Sequence, residues 1–118
     1  MKRYILSAAL ALLIPIGFAY LGGTKSLGAH NWWDIKTIII GAPIGIILAF
    51  VIGLFPINKP VKVIGFLILT CLAFWVAKHG QTTFANSYGD DQFAGQLWYF
   101  GWIATGLFSA ATIFTTTR

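Results

Sequence analysis

Two histidines are the side chains of this sequence best suited to chemistry at a bound cofactor. His30 precedes one long apolar run, and His79 follows another after Lys78. Because imidazole nitrogens are common ligands of haem iron and of other transition metals, the pair is a candidate metal or haem site. Two histidines in polar loops are more often solvated or hydrogen-bonded. The sequence therefore predicts no metal site and no cofactor.

The remaining polar residues point to turns and packing rather than to catalysis. Asp90 and Asp91, in the segment SYGDDQ, could bind calcium weakly, but Gly-Asp-Asp is also ordinary turn chemistry. Cys71 is the only cysteine, which excludes an intramolecular disulfide and a multi-cysteine metal site. We interpret it as a small packing residue. Since no Ser, His and Asp set falls within the apolar runs, the sequence predicts that the protein is not an enzyme.

The composition predicts which elements carry these residues. The chain is 58% hydrophobic and only 9% charged, whereas soluble domains are roughly 25% charged. Runs without Asp, Glu, Lys, Arg or His extend over Tyr4 to Leu21, Thr37 to Phe55, Val63 to Ala77 and Ala94 to Thr117. A bilayer core about 30 Å thick is crossed by roughly 20 helical residues. The sequence therefore predicts one all-α domain, 1–118, an integral membrane four-helix bundle with helices at about 4–21, 36–55, 61–78 and 94–115.

The first apolar run has a second interpretation. The segment MKRYILSAALALLIPIGFAY has a basic start, an apolar stretch, a break at Pro15 and the small residues Gly17 and Ala19. This pattern is also typical of a cleaved secretory signal sequence. Cleavage would leave three helices and an external N-terminus, and both interpretations remain open.

The segment GLFPINKPVKVIG, residues 53–65, predicts a tight antiparallel turn between the second and third helices. Pro56 and Pro60 end the two helices, and few polar residues separate one helix from the other. Short loops rich in Lys and Arg remain cytoplasmic. The sequence therefore predicts two antiparallel hairpins with both termini cytoplasmic, near anionic lipid headgroups rather than nucleic acid. The basic residues expected on that side are Lys2, Arg3, Lys59, Lys62 and Arg118.

The tryptophans are consistent with this orientation. Trp favours the interface between membrane and water, where its ring is buried and its N–H is hydrated. All five fall in the predicted outer loops or at the outer ends of helices, and those expected to form an outer-face interface are Trp32, Trp33, Trp98 and Trp102. Trp pairs also anchor protein interfaces, although a belt in contact with lipid explains them with fewer assumptions.

Small residues should decide how the helices pack, because lipid gives apolar helices little reason to prefer one another. Gly41 and Gly45 lie one turn apart around Pro43, which predicts close packing inside the molecule rather than a homodimer contact. In the last helix, a stripe of small residues recurs at helical spacing, formed by Gly101, Thr105, Ser109 and Thr112. It could line a hydrated path, but hydroxyls at this spacing more often bond to their own helix. We interpret the stripe as packing.

Three functional classes are compatible with these features. We favour a small non-catalytic partner of a larger membrane system, either an accessory subunit or an immunity or inhibitor protein, which would bind another membrane protein or a second copy of itself. The apolar runs carry no ionisable group of the kind that ion-coupled carriers use. The alternatives are a homo-oligomeric channel or carrier for a neutral or lipid-like solute, and a haem or quinone anchor that uses His30 and His79. The expected location is a bacterial inner membrane.

Overall fold

The structure is a computed structural model that describes residues 2–30 and 32–118. The described residues are mostly helical and contain no β-strand. The helices are α1 (Lys2–Tyr20), α2 (Gly23–Ser26), α3 (Asp34–Gly53), α4 (Lys59–Asn86) and α5 (Gln92–Thr117). Four of them, α1, α3, α4 and α5, are long and apolar enough to cross a membrane. The predicted class, an all-helical protein with the composition of a multi-pass membrane protein, is confirmed.

Local sequence explains where α4 and α5 begin. Pro60 lies in the first turn of α4, where its missing N–H leaves no helical hydrogen bond unmade. α5 begins after Asp91, whose Oδ1 accepts a hydrogen bond of 3.0 Å from the backbone N–H of Ala94. The turn between α4 and α5 places Gly89 at a φ of +85°, which glycine adopts without strain.

α4 departs most from the predicted boundaries. It was expected at 61–78 but extends over Lys59–Asn86, which is 28 residues or about 42 Å of helix. The apolar run stops at Ala77, but helical hydrogen bonds are made by the backbone and continue through the polar residues that follow. His79 therefore lies inside α4 rather than at its end. The sequence also did not predict the short helix α2.

α5 is the central helix of the molecule. It packs against α4 on one side and α3 on the other, and α1 contacts both α3 and α5. Among the long helices, α1 contacts α3 and α4 contacts α5, but α3 and α4 do not pack along each other. The expectation that the turn at 53–65 would place α3 directly against α4 is therefore wrong, because α5 lies between them. The result is a flat molecule of 49 × 27 × 17 Å.

Small residues on both sides of α5 permit this arrangement. Gly41 and Gly45 of α3 lie directly on the backbone of α5, where a Cβ on Gly45 would clash with the carbonyl group of Leu107. On the opposite side, a Cβ on Gly101 would approach Ala77 of α4 to 2.8 Å. Backbones this close maximise van der Waals contact between helices in lipid. Fully buried alanines fill much of the remaining core, at Ala11, Ala42, Ala77, Ala110 and Ala111.

The two ends of the molecule differ in their side chains. The ring of Tyr4 lies 6.1 Å from that of Phe50, and Lys59 Nζ lies 3.5 Å from the carbonyl oxygen of Arg118. The starts of α1 and α4 therefore share one end with the final turns of α3 and α5. We call it the basic end, and it carries Lys2, Arg3, Lys59, Lys62 and Arg118. The opposite end, which we call the aromatic end, carries His30, Trp32, Trp33, Trp98 and Tyr99.

Candidate functional site

A cleft separates α1 from α4 on one face of α5. These two outer helices form its walls, α5 forms its floor, and α2 with the loop after it closes the end nearest the aromatic end. Its volume is about 560 Å³, within the range of roughly 300–1,000 Å³ typical of small-molecule sites. We call it the lateral cleft. It is lined by Ile14, Pro15, Phe18, Thr24, Leu27, Ile38, Thr70, Cys71, Phe74, Trp102, Thr105, Gly106, Ser109 and Ile113.

The lateral cleft forms because the floor is built from small residues while the walls stand apart. Gly106 and Ser109 present little side-chain volume between α1 and α4. Ile14 and Phe18 on α1, and Cys71 on α4, are exposed at its margin. The cleft is therefore accessible from the side of the molecule, which is the direction of the lipid when the long helices cross a membrane.

The lining of the cleft is apolar and uncharged. None of its residues is Asp, Glu, Lys, Arg or His. Its threonines in the long helices use their hydroxyls internally, since Thr70 Oγ1 donates to the carbonyl oxygen of Phe66 and Thr105 Oγ1 to that of Gly101, each at 2.7 Å. Such a surface suits a neutral apolar molecule, because a buried charge would find no partner there.

Two buried polar groups in the cleft have no hydrogen-bond partner among the described residues. Trp102 is 2% exposed, and its indole N–H is unpartnered. Thr24 of α2 is equally buried, and its hydroxyl is also unpartnered. An unsatisfied buried polar group costs roughly 1–3 kcal/mol. A molecule that supplied a matching polar atom at this end of the cleft would remove that cost.

The predicted small-residue stripe of α5 is divided between different surroundings. Gly101 lies against α4, whereas Thr105 and Ser109 line the lateral cleft. Thr112 Oγ1 donates to the carbonyl oxygen of Phe108 at 2.7 Å, within its own helix. The stripe therefore provides both a packing contact and part of the floor of the cleft.

The two histidines have different aromatic neighbours. The ring of His30 lies 5.5 Å from that of Trp98, and its Nδ1 accepts a hydrogen bond of 3.1 Å from the backbone N–H of Trp32. His79 is exposed on α4 and stacks on Trp75 at 5.4 Å. Among residues 2–30 and 32–118, no group of three or more His, Cys, Asp or Glu side chains could hold a metal ion. The geometry gives no support to a site shared by the two histidines.

The tryptophans predicted for an outer interface occupy three different environments. Trp32 is 90% exposed. The rings of Trp33 and Trp98 are 5.1 Å apart, and Trp98 Nε1 donates to a carbonyl oxygen of the α2–α3 loop at 2.8 Å, which fixes the loop on α5. Trp102 is buried beside Phe74, with their ring centroids 5.6 Å apart. Its assignment to an exposed interface is corrected, because α5 is enclosed on both sides.

The basic residues contact the ends of helices. Lys62 is buried, and its Nζ lies 3.1 Å from the carbonyl oxygen of Phe55 and 3.5 Å from that of Gly53. These carbonyls lie at and just after the C-terminal residue of α3, where a positive charge is favourable. The guanidinium of Arg118 lies beside Gly53, and Lys59 reaches the last carbonyl of the chain. The other basic residues of this end are the exposed Lys2 and Arg3.

The two aspartates singled out by the sequence differ in role. Asp91 caps α5 through its contact with Ala94, as described above. Asp90 is exposed in the preceding turn. A helix cap accounts for the acidic residue at Asp91, since Asp is among the residues that satisfy the free N–H groups of a first helical turn.

Several residues of the cleft carried no signal in the sequence. Ile14, Phe18 and Phe74 look like ordinary residues of apolar helices, and Thr24 looks like a loop residue. Their role depends on α1 and α4 flanking the same face of α5, which no spacing within one helix records. The one indirect signal was the small-residue stripe, because small residues on a central helix leave space where its neighbours diverge.

Comparisons with known proteins do not extend this description. No protein-family model matches the chain, and no curated protein or solved structure is detectably similar to it.

Proposed function

We propose that this chain is a non-catalytic multi-pass membrane protein that binds a neutral, lipid-like molecule in the lateral cleft. The observation that supports the proposal is an apolar cleft of about 560 Å³ whose lining has no charged residue. Membrane-embedded ligands reach such a site from the bilayer, so a lateral opening is the appropriate route. This function corresponds to a carrier or receptor for a lipid-like solute.

We further propose that the basic end faces the cytoplasm of a bacterium, with the protein in its inner membrane. The basic end carries five Lys or Arg residues, Lys2, Arg3, Lys59, Lys62 and Arg118, without an acidic side chain in the α3–α4 turn. The opposite loops combine Lys with Asp. Positive residues in short loops favour the cytoplasmic side. In this orientation the unpartnered groups of the cleft lie toward the outer half of the membrane.

The lone cysteine permits a direct test, because Cys71 is exposed and lines the cleft. We expect N-ethylmaleimide to modify Cys71 in detergent-solubilised protein, and we expect hexadecanol to slow the reaction by occupying the cleft. The matched control combines Cys71→Ala with Ile68→Cys. Ile68 is 54% exposed on the same helix but does not line the cleft, so hexadecanol should leave its rate unchanged.

Equal slowing at the two positions would refute the proposal, because it would indicate general coating of α4 by the added alcohol. Protection of Cys71 that appears only as the protein concentration rises would also refute it. That result would identify a second copy of the chain as the occupant of the cleft.

A second candidate function is that of an accessory or inhibitory partner of another membrane protein. The observation that favours it is the exposure of large aromatic side chains at the aromatic end, where Trp32 is 90% and Tyr88 95% exposed. Exposed aromatic residues often anchor protein interfaces. We expect a second polypeptide to copurify with the chain and to be lost in Trp32→Ala. Copurification that survives this change would argue against contact through Trp32.

A further inference from the structure

We propose that the lateral cleft selects ligands that carry a neutral hydrogen-bond acceptor, which binds to the indole N–H of Trp102. The apolar remainder of the ligand extends along α5 toward Ile113. This inference rests on the proposed lipid-binding function and names the chemical class of the ligand. That class is a single apolar chain with an ester, ketone, quinone or alcohol oxygen near one end.

The donor is defined by a contrast between two tryptophans of α5. Trp98 Nε1 donates to the carbonyl oxygen of Gly28 at 2.8 Å, so its N–H is satisfied within the chain. The Nε1–H of Trp102 has no partner among the described residues, although the side chain is 98% buried and lines the cleft. An indole N–H only donates, and buried N–H groups are almost always paired. The missing group is therefore an acceptor.

A second unpartnered group belongs to another residue that lines the cleft. The hydroxyl of Thr24 in α2 is buried without a partner, and it both donates and accepts. Thr24 is therefore a second group with which a polar atom of the ligand can form a hydrogen bond. A hydroxyl ligand could also donate to Thr24, so alcohols fit as well as carbonyl compounds.

The electrical neutrality of the ligand follows from the lining. No Lys, Arg or His lines the cleft, so a carboxylate or phosphate bound there would lack a counterion. The basic residues of the chain's other end contact helix termini instead, as Lys62 does.

The position of Trp102 also sets the orientation of the ligand. Within α5, the lining extends from Trp102 to Ile113, which is about 16 Å of helix. The unpartnered groups belong to Trp102 and Thr24, whereas the other end of the α5 lining has the apolar Ile113. A polar head near Trp102 and an apolar tail toward the basic end therefore match the cleft.

The test follows the indole N–H directly in the unmodified chain. Protein labelled with ¹⁵N-tryptophan gives one indole signal for each of its five tryptophans. We expect methyl hexadecanoate to shift the Trp102 proton signal downfield by hydrogen bonding, and hexadecane to leave it in place. The signal is assigned by its loss in Trp102→Phe. The Trp98 signal serves as the internal control, because its N–H already has a partner.

Affinity gives a second, independent measurement. Trp102→Phe keeps an aromatic ring but removes the donor, so the ester should bind about two- to twelvefold more weakly while the hydrocarbon is unaffected. Trp98→Phe is the matched control and should not alter the preference between the two probes. Both affinities are measured from the protection of Cys71.

The outcomes separate the two proposals. If neither probe protects Cys71, the lipid-binding function itself fails. If both probes protect Cys71 equally and the Trp102 signal does not move, the cleft binds apolar chains without selecting an acceptor, and only the present inference fails. A Trp102 signal that is already downfield without ligand, and does not respond to the ester, would show that water satisfies the donor and would also overturn it.

Discussion

Replacing Gly45 with Ala should separate α3 from α5. A Cβ at this position would lie 2.8 Å from the carbonyl carbon of Leu107 and closer still to its oxygen, whereas real Cβ atoms essentially never approach within 3.0 Å. The obstacle is backbone, so no side-chain rotation relieves it. Overpacking in a tight core costs about 1–3 kcal/mol, and a backbone clash places the expected cost in the upper half of that range.

Alanine also gains helix stability relative to glycine, by about 0.5–1 kcal/mol. The net loss of unfolding free energy for Gly45→Ala should therefore be about 1–2.5 kcal/mol. Gly65 provides a control of opposite sign, since nothing lies within 4 Å of a Cβ built there. Gly65→Ala should raise the unfolding free energy by about 0.5–1 kcal/mol.

The assay is reversible unfolding in mixed micelles with increasing dodecyl sulfate, followed by far-ultraviolet circular dichroism and Trp fluorescence. The two variants should move the midpoint in opposite directions. Equal midpoints for Gly45→Ala and Gly65→Ala would refute the close α3–α5 contact, and with it the central position of α5.

Three further predictions concern the ends of the helices. Asp91→Ala should lower the unfolding free energy by about 1 kcal/mol through loss of the α5 cap, whereas Asp90→Ala, at an exposed neighbour, should have little effect in the same assay. Lys62→Met should lower the unfolding free energy by about 1–3 kcal/mol, because it removes the ammonium group that contacts two carbonyl oxygens at the end of α3. The loss should be larger than that for Lys59→Met, since Lys59 is exposed. Reporter fusions after Lys59 should read as cytoplasmic and fusions within 87–91 as external; the reverse pattern would overturn the proposed orientation.

The individual helices were largely predictable because each depends on a local property. An uncharged run such as 37–55 is long enough to cross a bilayer, and this requirement does not depend on its neighbours. Helix ends were less predictable where the apolar run and the helix differ in length. α4 continues from Ala77 to Asn86 because Lys78 and His79 do not interrupt its backbone hydrogen bonds. The same two residues do end the apolar run, because charged and polar side chains are unfavourable in lipid.

The candidate site was predictable only in fragments. The stripe that includes Thr105 and Ser109 was visible, but the sequence placed Trp102 at an outer interface, whereas the structure buries it in the floor of the cleft. An interfacial and a buried Trp look alike in a sequence, because both lie near the end of an apolar run. The distinction depends on how many neighbours surround the helix.

The sequence by itself determined that the chain forms long apolar helices, with no Asp, Glu, Lys, Arg or His in the apolar runs. These properties follow from side-chain transfer energies and helix length, which act residue by residue. Only the tertiary structure decided that α5 lies between α3 and α4 and that a cleft separates α1 from α4. Helix order within lipid is set by close packing at residues such as Gly45 and Gly101, and a glycine alone does not record which helix it contacts.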